Sequence, residues 1–318
     1  MRKLGAFIVP TGIGASIGGY AGDASVWARE FSKHFELIVN PNVVNAGGFS
    51  GITDNMLYVE GCSLDEFFKG NLNLVRSHNN KIGVVFDKSI SQNVMNIHIN
   101  TINAVKTVYG IDVIYEVTKE DVGVEFYVDE TGISTGCVGN IKTILDTAKN
   151  LQKNGANAIA IVCKFSDDEE NEDYDNGIGV DPIGGVEAVI SHYISKEMEL
   201  PAAHSPAFED YSVSTKIVSP KAASEYITPT FLPCILLGLN NAPQLSKTQG
   251  LSIEDLDFLI YPYNSLGGVP VFEALKRGIK VYAIKENKTV LDVTKEKLFL
   301  DDIIEVESYE KCLELLVK

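Results

Sequence analysis

The chain has 318 residues, enough for one large domain or two ordinary ones with a substantial core. Hydrophobic residues make up 45% and charged residues 22%, with 43 acidic against 27 basic residues and a formal net charge of −16. So acidic a surface lacks the Lys/Arg excess that neutralises phosphates, which argues against nucleic-acid binding and docking on anionic membranes. A small-molecule ligand is the expected partner, with room for a homo-oligomer.

In chain order, Leu4–Val9 is an apolar strand that runs into a glycine-rich stretch, Thr11-Gly-Ile-Gly-Ala-Ser-Ile-Gly-Gly19. From about Ser16 to His34 the chain carries helix periodicity, with Val26, Trp27, Glu30, Phe31 and His34 at spacings of three and four. Phe35–Val39 is a second strand that closes a β-α-β unit. Pro41–Gly51 reads as a loop rich in glycine and asparagine, and an amphipathic piece follows around Leu64–Phe68. Lys81–Phe86 is a strand, Ser91–Val108 a long helix and Asp112–Val117 another strand. Val122–Val128 alternates as an exposed-face strand at an antiparallel edge. Asn140–Asn154 is a helix stopped by Gly155, and Ala158–Cys163 is a buried strand.

Ser166–Asn176 is strongly acidic and reads as a solvated loop; it lacks the oxygen spacing of an EF-hand. Gly185–Met198 is helical, Pro201–Asp210 an irregular loop, Lys221–Tyr226 a helical turn and Phe231–Leu239 apolar. Asp257–Pro262 is a strand leading through Tyr263-Asn-Ser-Leu-Gly-Gly268 into helix Val271–Arg277, and Lys280–Ile284 is the next strand. Ser308–Val317 closes the chain as a helix with Ser308 as its N-cap. Alternating strands and helices predict an α/β fold, with mainly parallel sheets covered on both faces and two Rossmann-like halves around a cleft. A boundary near residue 170 would divide residues 1–170 from 171–318, with one continuous domain as the alternative.

No segment approaches the roughly 18 uninterrupted apolar residues of a membrane span. Cys62, Cys137, Cys163, Cys234 and Cys312 are scattered, without a C-x-x-C pair, which suits a reducing compartment. A cytoplasmic protein is expected.

The glycine loop after the first strand has the makings of an anion cradle, because glycines let backbone N–H groups turn toward a ligand at a helix start. Thr11, Gly12, Gly14, Ser16, Gly18 and Gly19 are its candidate ligand contacts; tight strand–helix packing is the alternative. The spacing G-x-G-x-x-x-G is one residue too long for a dinucleotide fingerprint, and the second strand ends in Asn40 rather than an acid. No Gly-Lys-Ser/Thr follows, so a P-loop fails as well, and the residues name no cofactor. Asp23 beside the loop is either a helix cap or a reader of a polar group.

The second loop contributes Asn264, Ser265, Gly267 and Gly268. Tyr263 stands where a nucleophile elbow needs glycine, so ligand contact is favoured over nucleophilic attack by Ser265. Between the two loops lie Asp181, His192 and His204. They are candidates for acid–base catalysis or, alternatively, for a metal-dependent hydrolase site, although their spacing matches no zinc signature. Asn45 and Glu60 are candidate polar readers. Cys163 and Cys234 read as small buried residues rather than nucleophiles.

The strings FIVPTGIGASIGGYAGDA, PNVVN, LYVEG, GVDPIGGVEAVISH, AAHSPA and TFLPCILLGLNNAPQ resemble, in order, the domain-of-unknown-function 3326 family of cyanobacterial and plant proteins. The resemblance runs from about residue 5 to about residue 315, with NSLGGVPVFEALKRG departing from the cyanobacterial pattern. It brings no reaction with it, but marks these strings as the place where function lies. The expectation is an enzyme of transferase or isomerase type. Its substrate would be a small anionic metabolite, phosphorylated and nucleotide-linked ones included, held between the two glycine loops. A ligand-sensing or carrier protein using the same loops is the non-enzymatic alternative.

Overall fold

A computed structural model of the chain describes residues 2–19, 22–166 and 174–318. Most of the acidic loop, and the boundary expected near residue 170, lie outside the described residues.

The α/β expectation holds, with two parallel sheets surrounded by helices. The larger sheet has six strands, β1 (Leu4–Phe7), β2 (Glu36–Val39), β3 (Met56–Tyr58), β8 (Leu256–Pro262), β9 (Lys280–Ile284) and β10 (Ile303–Val306). Their spatial order is β10-β9-β8-β1-β2-β3, and every neighbouring pair is parallel. The smaller sheet is built from β4 (Ile82–Phe86), β5 (Val113–Val117), β6 (Ala158–Lys164) and β7 (Ala202–Ala207), in the order β7-β6-β4-β5, again all parallel. Strands such as β4 are apolar throughout because helices cover both faces. One sheet thus takes both ends of the chain and the other its middle. β6 and β7 lie either side of residue 170 and are bonded to each other, so the strands do not divide there.

The helices that matter for the site are α1 (Ser25–Ser32), α2 (Gly61–Phe68), α3 (Gln92–Tyr109), α4 (Ile141–Lys153), α5 (Gly184–Met198), α6 (Leu232–Asn240), α7 (Val269–Lys276) and α8 (Tyr309–Val317). α6 packs on β6 and β7, and one apolar cluster runs from Phe7 and Val39 of the large sheet through Leu232, Ile235 and Leu239 to Val84 and Phe86 of the small one. The sheets therefore share a core. The chain crosses between them twice, at Asn73–Val75 and Gln244–Ser246, and these two segments pair as an antiparallel ribbon.

Four local expectations change. The helix expected from Ser16 begins only at Ser25, because Gly12, Gly14, Gly18 and Gly22 sit at φ of +74°, +55°, +78° and +68°, where a right-handed helix cannot run. Pro41–Gly51 holds a short helix, Pro41–Val44, and a tight hairpin pairing Asn45–Ala46 with Phe49–Ser50. Val124–Val128 pairs antiparallel with Ser134–Val138 in a separate ribbon rather than at a sheet edge. Pro201–Asp210 is not irregular: it contains the buried strand β7.

Candidate functional site

A cavity of about 1250 Å³ opens between the sheets. Pro10 and Thr11 line it beyond β1, Asn40 and Asn42 beyond β2, Glu60 and Gly61 beyond β3, and Gly268 beyond β8. In the large sheet the winding reverses between β1 and β8, so these residues stand outside the carboxyl ends of the strands at a switch point, the usual ligand position in open parallel sheets. The small sheet adds Ala203, His204 and Pro206 from β7, and α5 adds Gly184, Glu187, Ala188, Ser191 and His192.

The chemistry concentrates where β7 meets the first turn of α5. Residues alternate along β7, so Ala203 and Ala207 enter the core shared with α6 while His204 faces α5. Its Nδ1 lies 2.7 Å from Glu187 Oε1, its ring stands edge-on to Phe165, and the residue is 7% exposed. Nε2 is buried without a partner. Burial penalises both charges of the pair, pushing the Glu187 carboxyl up and the His204 imidazole down. At this distance a carboxylate–imidazolium pair is geometrically available, but the desolvated site favours neutral groups sharing one hydrogen bond. Asp181 is three residues ahead of α5. Its Oδ1 accepts from the N–H groups of Ile183 and Gly184, at 3.0 and 3.1 Å. Burial, followed by the nearby Glu187 charge, still raises its carboxyl to about 7.

Glu60, 3% exposed, is the N-cap of α2, accepting from Cys62 N at 2.7 Å and Ser63 N at 2.6 Å. Its Oε2 lies 3.5 Å from His192 Nε2. Asn45 donates from Nδ2 to the Tyr58 hydroxyl at 3.1 Å, while Asn45 Oδ1 is buried and unpaired. Asp181, His192, His204, Asn45 and Glu60 thus all line one cavity. His192 and His204 have different carboxylate partners, and among the described residues no group of three or more His, Cys, Asp or Glu is arranged to hold a metal ion. The cavity wall also holds Cys234, whose thiol burial raises to about 12.

The glycine loops behave differently from expectation. Gly12, Gly14, Ser16, Gly18, Gly19 and Asp23 do not line the cavity; of the first loop only Thr11 does. Three of its N–H groups are spent inside the protein: Ser16 N on Lys288 O, Ile17 N on Asn287 Oδ1 and Gly18 N on Asp23 Oδ1. Asn287 closes the lock, donating to Ile17 O at 2.8 Å and to the Tyr309 hydroxyl at 2.7 Å. These three donors serve packing, and the glycines of the loop stand away from the cavity. Asp23 is the cap of this turn, with burial as the main cause of its raised carboxyl. In the second loop Asn264 binds Thr289 and Leu291 backbone groups, Ser265 Oγ is 3.4 Å from Pro262 O, and Gly267 packs near Val293, so only Gly268 reaches the cavity. The two loops follow adjacent strands but do not face each other across a ligand.

Glu187 escaped the sequence reading. A carboxylate in the otherwise apolar first half of the helix, Gly184–Ile190, was the available signal, since Val186, Ile190 and Ile194 mark the core face and place Glu187 beside it.

Against known proteins, a family model for a protein of unknown function, DUF3326, matches residues 5–318. A lipoprotein of Synechococcus sp., itself uncharacterised, is 37% identical over 296 residues, covering 90% of this chain and 82% of the relative. That name overturns the expectation of a cytoplasmic protein, which is withdrawn. Among the described residues no helix is long and apolar enough to cross a membrane. Of solved structures, a dimeric Lac repressor with a C-terminal deletion is similar over 74% of this chain and 88% of that one, with 8% identity and a TM-score of 0.24. A Lac repressor dimer bound to operator and the anti-inducer ONPF gives the same identity and score over 75% and 85%. Similarity so low carries no argument. From residue 5 to its last residue, this chain belongs to the DUF3326 family.

Proposed function

We propose that the protein is an enzyme of transferase or isomerase type that moves protons on a small molecule held between the two sheets. The observation that carries this reading is the buried Glu187–His204 pair, with Nε2 of the histidine left unpartnered at the cavity wall. Glu187 fixes the ring through Nδ1, so Nε2 is the atom that exchanges protons with substrate. When the pair holds a single proton, Nδ1–H donates to the carboxylate and Nε2 accepts; a second proton turns Nε2 into a donor. Asp181 is the second acid–base group, its carboxyl at about 7 suited to both directions of transfer near neutral pH. Glu187 is a positioning residue for His204.

A test by proton exchange works with an unidentified substrate. Purified protein is incubated in D2O with a fractionated metabolite extract, and protein-dependent conversion or deuterium incorporation at carbon is followed by NMR. Wild type is expected to label or convert at least one compound. His204→Gln should lower that rate by about 10²–10⁴-fold, the usual contribution of a positioned general acid–base, with thermal stability kept. A folded His204→Gln variant with undiminished turnover would sink the reading. Ligand binding without any turnover in wild type would favour the carrier alternative.

A further inference from the structure

Among the described residues, four buried side-chain nitrogen or oxygen atoms have no hydrogen-bond partner, and three of them belong to residues lining this one cavity: Asn45 Oδ1, Asp175 Oδ1 and His204 Nε2. Buried polar atoms are almost always paired, so three orphans around one cavity mark the positions of missing partners. The amide and carboxylate oxygens can only accept, and His204 Nε2 accepts whenever its pair holds one proton. Asn45 Oδ1 and Asp175 Oδ1 therefore call for a donor of hydrogen bonds, which His204 Nε2 also meets when its pair holds a single proton.

The charge of the wall narrows the class. Asp65, Asp175, Asp181, Glu187 and Asp210 line the cavity, whereas Lys216 is the one lysine or arginine among the described lining residues, and it is already paired with Asp175. A phosphate would meet these carboxylates with the glycine-loop amides turned elsewhere. A cation would offset the burial of these carboxylates and the Glu187 charge that bears on Asp181.

We infer that the cleft is selective for small molecules bearing a protonated amine, received by the cavity carboxylates and the Asn45 amide oxygen. This rests on the cleft being the ligand site proposed above, and it reverses the anionic class expected from the glycine loops. Binding of the ammonium stabilises the ionised carboxylates, so it expels protons from the site, and amine affinity rises with pH through neutrality.

The experiment compares amine, alcohol and phosphate on a shared skeleton: glucosamine, glucose and glucose 6-phosphate in one set, 4-aminobutanol, butane-1,4-diol and 4-hydroxybutyl phosphate in the other. Binding to the full chain is read by saturation-transfer NMR and thermal shift. In at least one set the amine should bind about tenfold more tightly than the alcohol, with the phosphate weakest. Asp175→Asn and Asp181→Asn should each weaken the amine about tenfold, the value of one charge-assisted hydrogen bond. Lys216→Gln changes a mostly exposed side chain and should tighten the amine without helping the phosphate.

A phosphate or alcohol that binds as well as the amine overturns the inference. So does a failure of every compound to bind, or an amine preference that all three variants leave unchanged. Loss of the amine preference with His204-dependent exchange intact would defeat this inference and leave the acid–base reading standing. Amine selectivity without His204-dependent exchange would do the reverse.

Discussion

His204 sits in a strand of small residues, Ala202-Ala-His-Ser-Pro-Ala207, where its ring is the one large polar group. Its neighbour Asp181 imposes a pH dependence on stability. An acid raised to about 7 in the folded state binds more protons there than in the unfolded chain, so its contribution is complete below about pH 4 and is lost as pH rises through 7. Glu187, also raised, acts in the same direction. His204, pushed down, contributes above its ordinary value near 6.5 and loses stability only as pH falls below it. Between pH 6.5 and 8.5 the carboxyl groups therefore dominate, and the unfolding temperature should fall across that window. Asp181→Asn should flatten the fall; an unchanged slope by calorimetry would remove Asp181 from this role. Asn40 illustrates what the sequence could not disclose about a single residue. It was noteworthy only as the acid missing from a dinucleotide site. In the structure it grips the chain leaving β1, accepting from Val9 N at 3.1 Å and donating to Val9 O at 2.7 Å. Asn40→Ala leaves both buried groups unpaired and should cost about 2 kcal/mol in urea unfolding.

At the scale of elements, the site depends on how closely α5 approaches the ribbon strand Ser134–Val138. A Cβ on Gly185 would lie 1.9 Å from Ser134 O, while Gly185 N donates to Ser134 Oγ at 3.0 Å. Gly185→Ala must push the helix start away, taking Glu187 with it. We expect a loss of about 1–3 kcal/mol by denaturant titration, together with weakened turnover. Normal stability in that variant would mean the contact is softer than it looks. Most elements were legible because strands buried on both faces, such as Ile82–Phe86, are apolar from end to end, and Lys280–Ile284 is apolar after its first residue. β7 was hidden by Pro201 and Pro206, which read as loop punctuation. Pro206 is tolerated because β7 is an edge strand, where a missing N–H costs no ladder bond. The site was half legible for a related reason. Asp181, His192 and His204 stood out as residue types, but Glu187 on a helix looks like any solvated carboxylate. Only the packing of α5 on β7 brings it to a histidine 17 residues away.

The whole molecule is organised by an exchange of segments that no local pattern reveals. Alternating strands and helices predict parallel sheets correctly, yet periodicity is blind to which strands pair, so a division at residue 170 looked natural. A fragment of residues 1–170 would lack β7, β8, β9 and β10, leaving β1 and β6 each with a bare apolar edge. Such a fragment should be insoluble or lack a cooperative unfolding transition, checked by circular dichroism and urea titration. A soluble, cooperatively folding fragment would contradict the shared core. The same pairing bears on how the chain emerges from the ribosome. Leu4 N bonds to the Asp257 carboxylate, 253 residues further on, so β1 gains its second neighbour long after it is made. At about 5–20 residues per second, β1 waits roughly 10–50 s with one flank open. Until its final quarter is made, the nascent chain therefore presents that unpaired edge, the kind of surface chaperones cover.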